Sequence, residues 1–308
     1  MNREPHISIV ILNWNQGKLT LRCLESLENV HYKNYDVLVL DNGSTDDSFT
    51  MLKECTARHD KITILHNDQN EGFAGGMNIG IDYVLQTNHP EYVFLLNNDA
   101  LIDVECLPGS VEAAQNERAD IVGALVKSMD GKTILFAGGE PEKEFFMGEV
   151  TEQKDMLPDI WLTGRVEGSG MLIASSFLRE VFQTYGYIFH PDLFLYGEDV
   201  DIAMIARKHT KKIVMARNAV IYHQPGQSGG GVSNPLQYYY SSRNRIFLAN
   251  RWLPFWKRVL FHCYYVPTRL ARIMQRVFQG KWEVASAIIH SLVDGYSGRF
   301  GKWKKHKN

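Results

Sequence analysis

Over the first hundred residues, short and largely apolar runs alternate with stretches whose apolar positions recur at helical spacing. The runs 7–12 (ISIVIL), 35–40 (YDVLVL), 62–65 and 92–96 (YVFLL) read as buried strands of a parallel sheet. Between them, 18–29 carries Leu21, Leu24 and Leu27 about a helical turn apart. Residues 45–58 read as a helix with Ser44 or Thr45 as its cap, and 75–86 as a helix opened by a glycine-rich loop. This rhythm predicts a doubly wound α/β sheet. The later chain is less regular. It predicts loops and edge hairpins over 138–158, a strand at 170–174 and helices at 176–183 and 199–208. Two short strands follow at 212–216 and 219–222, then a mobile glycine- and serine-rich loop over 224–234 and helix from Pro235 to near the end.

In an open α/β sheet, ligands lie beyond the carboxyl ends of the strands. Asn13 and Asn15 follow the first run, Asp41 the second, and Asn97, Asn98 and Asp99 the fourth, so three polar strand ends should converge on one crevice. Each group has two readings. Asp41 opens the turn DNGSTD as an Asx-turn residue, or accepts a bond from a base N–H or a ribose hydroxyl. Asp99 caps a helix at 100–104, or holds Mg²⁺ or Mn²⁺ against a diphosphate. Glu198, Asp199 and Asp201 complement a helix N-terminus, or supply a general base for an acceptor hydroxyl. His223 is structural, or a metal ligand beside the mobile loop. The stretch 70–80 (NEGFAGGMNIG) offers backbone N–H groups to phosphate, yet is neither the dinucleotide fingerprint nor a P-loop.

Composition is that of a globular protein, with 44% hydrophobic and 22% charged residues in 308. The formal net charge of -2 hides an asymmetry: residues 1–250 carry 21 Lys and Arg against 33 Asp and Glu, residues 251–308 carry 12 against 2. The four cysteines, Cys23, Cys55, Cys106 and Cys263, are scattered, which argues against a disulfide framework or a zinc cluster and for a reducing compartment. The first apolar run reads as a strand and not a signal peptide, and no run of about 18 apolar residues predicts a spanning helix.

Taken in order, SIVILNWN, VLDNGSTD, NEGFAGGMNIG, FLLNNDA, GSGMLI, FLYGEDVDIAMIARK, VIYHQPGQSGG and YYYSSRNR resemble glycosyltransferase family 2, over about residues 7–250. The bacterial rhamnosyltransferase-like enzymes of cell-surface polysaccharide synthesis look most similar. The resemblance implies a GT-A fold, a Rossmann-like mixed sheet flanked by helices, with a catalytic domain at 1–250 and a helical extension at 251–308. It implies an inverting transfer from a dTDP- or UDP-linked sugar, rhamnose among the candidates, to a saccharide or lipid-linked hydroxyl. Asp199 corresponds to the catalytic base, with Glu198 beside it. Asp99, in a DXD motif that here reads Asn-Asn-Asp, and His223 correspond to holders of a divalent metal, Mg²⁺ or Mn²⁺. Donor-side candidates are Asn13, Asn15, Asp41, Gly72, Phe73, Gly75, Gly76, Asn78, Asn97, Asn98, Arg243 and Asn244. Met77 departs from the asparagine that many relatives carry.

Rival readings are a non-catalytic nucleotide-sugar-binding module and a sugar-nucleotide pyrophosphorylase. The second would want a glycine-rich, basic loop after the first strand, where this chain reads NWNQGK. Nucleic acid is not an expected partner. The basic, aromatic-rich segment 251–308 is expected to form amphipathic helices, broken at Pro254 and Pro267, that dock on the anionic inner face of the plasma membrane. The alternative is that its aromatics pack on the catalytic domain or in a homodimer.

Overall fold

The computed structural model describes residues 4–57, 59–147, 157–223 and 234–304. The first half alternates as the apolar runs require: β1 (Ile7–Asn13), α1 (Gly17–Leu27), β2 (Tyr35–Asn42), α2 (Ser48–Thr56), β3 (Ile62–Asn67), α3 (Gly72–Thr87) and β4 (Tyr92–Asn97). These four strands lie parallel in the order β3-β2-β1-β4. The sheet continues through β5 (Ala100–Ile102), α4 (Cys106–Glu117), β6 (Ile121–Lys127), β7 (Ile134–Phe136), α5 (Pro141–Met147), β8 (Ile160–Leu162), β9 (Gly170–Ala174), α6 (Ser175–Tyr185), α7 (Glu198–Lys208) and β10 (Ile213–His223). Helices α8 (Pro235–Trp252), α9 (Phe255–Phe278) and α10 (Trp282–Tyr296) complete it.

The ten-stranded sheet runs β3-β2-β1-β4-β9-β6-β10-β5, with β7 and β8 added at β6 and β10. β9 is antiparallel to both β4 and β6, which makes the sheet mixed. Each central strand is buried on both faces, as its unbroken apolar run demands. Register then aligns the strand ends. Asn13 lies opposite Asp41, Leu12 opposite Asn97, and His223 opposite Ala100, one residue from Asp99.

Several local expectations change. Residues 100–102 form β5 on the edge of β10, not the start of a helix, so Asp99 caps nothing there. Neither Ser44 nor Thr45 caps α2, which opens at Ser48 behind Asp47. The span 138–158, expected to be loops and hairpins, contains α5, and β8 follows just beyond it. The two strands expected at 212–222 are one strand with an irregularity between Ala216 and Val220. The mobile loop expected at 224–234 lies, but for Asn234, outside the described residues.

The glycine-rich stretch is not a loop before α3 but its first two turns. Gly72 has φ +74°, and a Cβ there would stand 2.2 Å from the Phe194 carbonyl oxygen. Gly76 lets the helix lie against Leu12 of β1, where a Cβ would come within 2.5 Å.

Residue 250 falls inside α8, so the boundary expected there cuts a continuous helix. α10 packs along α8, and the residues after it also return to α8: the Arg243 guanidinium donates to the Gly301 carbonyl (2.5 Å), and Trp303 stacks on Tyr239 at 4.2 Å. Pro254 precedes α9, as expected of a break, whereas Pro267 sits within it. The chain turns instead at Gly280, φ +69°.

Candidate active site

The edge where β1, β2 and β4 end carries a continuous chain of hydrogen bonds. Asn98 donates to the Thr20 hydroxyl (3.1 Å), Thr20 to Asn13 (2.8 Å), and Asn13 to Asp41 Oδ1 (2.7 Å). The Asp41 side chain is fully buried. It also accepts from the Ser44 hydroxyl (2.6 Å) and backbone N–H (3.2 Å), and its Oδ2 lies 3.0 Å from His66 Nδ1. Asp41 is therefore a turn-former whose carboxylate is engaged by the protein, as the Asx-turn reading holds. Asn15, with φ +54°, ties the β1 and β2 ends together through Ser44 and Thr45. His66 is 39% exposed beside Phe49 (ring centroids 4.4 Å apart). It reaches outward at this end, and its place at the end of a short strand gave no signal in the sequence.

Asp99 leaves β4 beyond Asn98, and His223 ends β10. Asp99 Oδ1 lies 3.1 Å from His223 Nε2, both buried. Among the described residues no cluster of three or more His, Cys, Asp or Glu side chains is arranged to hold a metal ion. A carboxylate and an imidazole at one strand edge fit a divalent ion that takes its remaining ligands from diphosphate and water.

The segment 194–197 leads into α7 with three positive φ angles, Phe194 (+60°), Tyr196 (+70°) and Gly197 (+97°). Such strain persists only where neighbours over-determine the backbone. Here Asn244 donates to the carbonyls of Leu193, Leu195 and Tyr196, and Arg243 to those of Asp192 and Leu193. Both side chains are buried, so Arg243 and Asn244 brace the segment. Asn78 does the same nearby, bonding the backbone of Ile188 and Phe189. The Phe73 and Ala74 N–H groups of α3 both point at the Phe194 carbonyl (2.6 and 3.3 Å), so these first-turn amides hold protein and not phosphate. Gly75 and Gly76 belong to the same helix, and Asn97 stands at the end of β4 with its N–H bonded to Ser169.

The three acids of the α7 first turn differ in surroundings. Asp201 is buried against the Trp252 indole N–H (2.7 Å) and Arg251 (3.0 Å), yet burial still pushes its carboxyl up. Glu198 is buried too. Burial, reinforced by Asp199 and Asp201, pushes it up to about 8. Asp199 alone of the three keeps its side chain partly exposed, at 20%. Its Oδ1 accepts the Val200 N–H (2.9 Å), and its Oδ2 pairs with Arg165, a residue between β8 and β9 that no sequence pattern marked. Burial, then the charges of Glu198 and Asp99, push the Tyr196 hydroxyl up to about 12.

The chain is similar to known proteins. Over 96% of its length the chain is 23% identical to the low-salt glycan biosynthesis hexosyltransferase Agl10 of Haloferax volcanii, covering 92% of that protein. It is 26% identical to Glycosyltransferase GlyG of Streptococcus pneumoniae over 38% of this chain, and spans only 37% of that relative. Among solved structures, the mannosyltransferase PcManGT of Pyrobaculum calidifontis, in complex with GDP-Man and Mn²⁺, superposes with a TM-score of 0.62 at 13% identity, covering 97% of this chain and 89% of that one. Residues 1–349 of S. aureus TarS with UDP-GlcNAc give 0.61 at 15% identity, covering 94% and 80%. The architecture is thus GT-A, with added C-terminal helices. The sequence profile described as Glycosyl transferase family 2 matches residues 8–180, more than half of the chain, and the protein belongs to that family.

Proposed function

We propose that the protein is an inverting glycosyltransferase that moves a sugar from a nucleoside diphosphate to a hydroxyl of a saccharide or lipid-linked acceptor. The observation that carries this reading is the split among the α7 acids. Two are buried, and Asp199 is left partly open at the start of a helix held by a strained, braced segment. A general base must reach its substrate, and Asp199 can. It takes the acceptor hydroxyl proton, the acceptor oxygen bonds to the anomeric carbon, and the bond to the diphosphate breaks with its electron pair on the departing phosphate oxygen. Attack from the opposite face inverts the anomeric configuration.

Asp99 and His223 would hold a divalent ion, Mg²⁺ or Mn²⁺, which when bound supplies charge neutralisation for the diphosphate. The Asn13–Asp41–Ser44 network shapes the donor floor, with His66 and Phe49 at its open side. Gly72, Phe73, Gly75, Gly76, Asn78, Arg243 and Asn244 act on the site by fixing the backbone around it. Kinship with a hexosyltransferase and with structures holding GDP-Man or UDP-GlcNAc supports a nucleotide-sugar donor. Rhamnose carried on dTDP is the first sugar to try, on the strength of the sequence motifs.

The outer face of α9 supports membrane docking. Trp256, Leu260 and Tyr264, then Leu270, Met274 and Phe278, recur every four residues and are exposed, Phe278 to 85%. Arg258, Arg269, Arg272 and Arg276 share the helix. Phe261 and Tyr265 turn inward, and no helix among the described residues is long and apolar enough to cross a membrane. This arrangement suits a helix lying in an anionic interface on the cytoplasmic side, where a lipid-linked acceptor would share its surface.

A turnover screen tests the proposal: purified protein with Mn²⁺ or Mg²⁺ against UDP-glucose, UDP-N-acetylglucosamine, GDP-mannose and dTDP-rhamnose, scored by nucleoside diphosphate release. Release from one donor, accelerated by an acceptor saccharide, is the expected result. Binding without release from any of them would make the protein a non-catalytic nucleotide-sugar module.

A further inference from the structure

Arg165 lies in the connection from β8 to β9, far in sequence from the acids of α7. Its side chain is 2% exposed, its guanidinium lies over the Phe136 ring at 4.8 Å, and its Nη1 donates to Asp199 Oδ2. The backbone is fixed as well. Its carbonyl accepts from the Gly139 N–H (3.3 Å) and from the Thr163 hydroxyl (3.0 Å), joining Arg165 to the edge beside β7. A buried cation lying over an aromatic ring is thus aimed at the Asp199 carboxylate.

A guanidinium is a rigid planar fork, and a charge-assisted bond from it is directional as well as strong. With Oδ2 held by Arg165 and Oδ1 by the Val200 N–H, the Asp199 side chain has both oxygens anchored while one edge stays open. Each carboxylate oxygen retains acceptor capacity for an incoming hydroxyl. We propose that Arg165 is a positioning residue of the transfer reaction, which fixes the orientation of the Asp199 carboxylate and acts only through it. The proposal rests on Asp199 being the base. It predicts an effect on the chemical step and not on donor binding, because the contact is to the base and is already made before substrate arrives.

A double-mutant cycle separates this inference from the reading beneath it. R165M, R165K, D199N and R165M/D199N are compared in the full-length protein with whichever of the four named donors turns over. Readouts are kcat, donor KM and the thermal midpoint. We expect R165M to lower kcat by about 100-fold, the scale of a misplaced catalytic group, with donor KM within about threefold. R165K, which keeps the charge but not the fork, should recover part of that loss. The double variant should be no slower than D199N alone. If R165M loses its fold, R165K carries the test through the same split of kcat from KM. Wild-type kcat in a folded Arg165 variant, a rise in donor KM at unchanged kcat, or additive losses in the double variant would each overturn the proposal while leaving the base assignment standing. Normal turnover by D199N would overturn the base assignment and this inference with it.

Discussion

At the scale of single residues, the site is organised by burial more than by residue type. Glu198, Asp199 and Asp201 share one helical turn, but among them only Asp199 keeps its side chain partly exposed. Glu198 has consequences for stability instead. Its folded carboxyl is pushed up to about 8, against about 4.3 in an unfolded chain. Between those values the folded state holds a proton that the unfolded state has released, so stability falls as pH rises through the interval. The shift at Asp201 has the same sign. Glu198→Gln removes the first contribution. Its thermal midpoint should gain on the wild type progressively from about pH 5 to about pH 8, and parallel curves across that range would refute the assignment. The Asp99–His223 pair makes a second residue-scale prediction. EDTA should abolish turnover and Mn²⁺ restore it, while Asp99→Ala should lower turnover about 100-fold or more at saturating donor. Full activity in chelator would mean that transfer proceeds without a divalent ion.

At the scale of elements, the contact between α3 and the segment before α7 carries the geometry. Gly72 has a left-handed backbone directly under the Phe194 carbonyl. Gly72→Ala therefore adds a clash to the backbone cost of about 1–2 kcal/mol that any L side chain meets there. Gly186, with φ +77° and nothing within 4 Å of a built Cβ, is the control. Thermal denaturation should show a clearly larger fall for Gly72→Ala than for Gly186→Ala, and turnover should drop only in the former. Equal falls would mean that the Phe194 contact yields without cost. The apolar runs made β1 to β4 legible in the sequence: β1, β2 and β4 are buried on both faces, and β3, at the edge of the sheet, is partly buried. β5, β7 and β8 escaped because three residues show no period, and β5 exists only by pairing with the distant β10. β6 is as apolar as the others, yet nothing local says that it enters the same sheet beside the antiparallel β9.

At the scale of the molecule, the C-terminal helices have two faces with different fates. The inner one closes the structure through Trp303 on Tyr239, Tyr239 on Asp294 and Gly301 on Arg243. Cutting the chain near residue 250 should therefore unfold the site's supports, and cannot isolate membrane binding. Charging the outer face can. Trp256→Glu with Leu260→Glu should leave the thermal midpoint unchanged but abolish co-sedimentation with phosphatidylglycerol vesicles, which the unaltered protein should show at low salt and lose at high salt. Vesicle binding that survives both charges, or its absence in the unaltered protein, defeats the docking proposal. A fall in solution mass on charging the face would instead identify it as a homodimer contact.

By itself, the sequence determined where the α/β half begins its strands, which strand ends carry polar groups, and which acids follow them. Periodicity and turn chemistry are local, and they are written in consecutive residues. The sequence also contained Asp41, Asp99, Asp199 and His223 as candidates, but with two readings each. Only the tertiary structure supplied the burial and the partners that bear on those readings, because both come from residues far along the chain. It engaged Asp41 with Asn13, Ser44 and His66, set Asp99 beside His223 across more than a hundred residues, and turned Arg243 and Asn244 into braces for a strained backbone. It also brought Arg165 to Asp199, a pairing with no local signature, since a buried arginine's sequence neighbours say nothing of the carboxylate that will meet it.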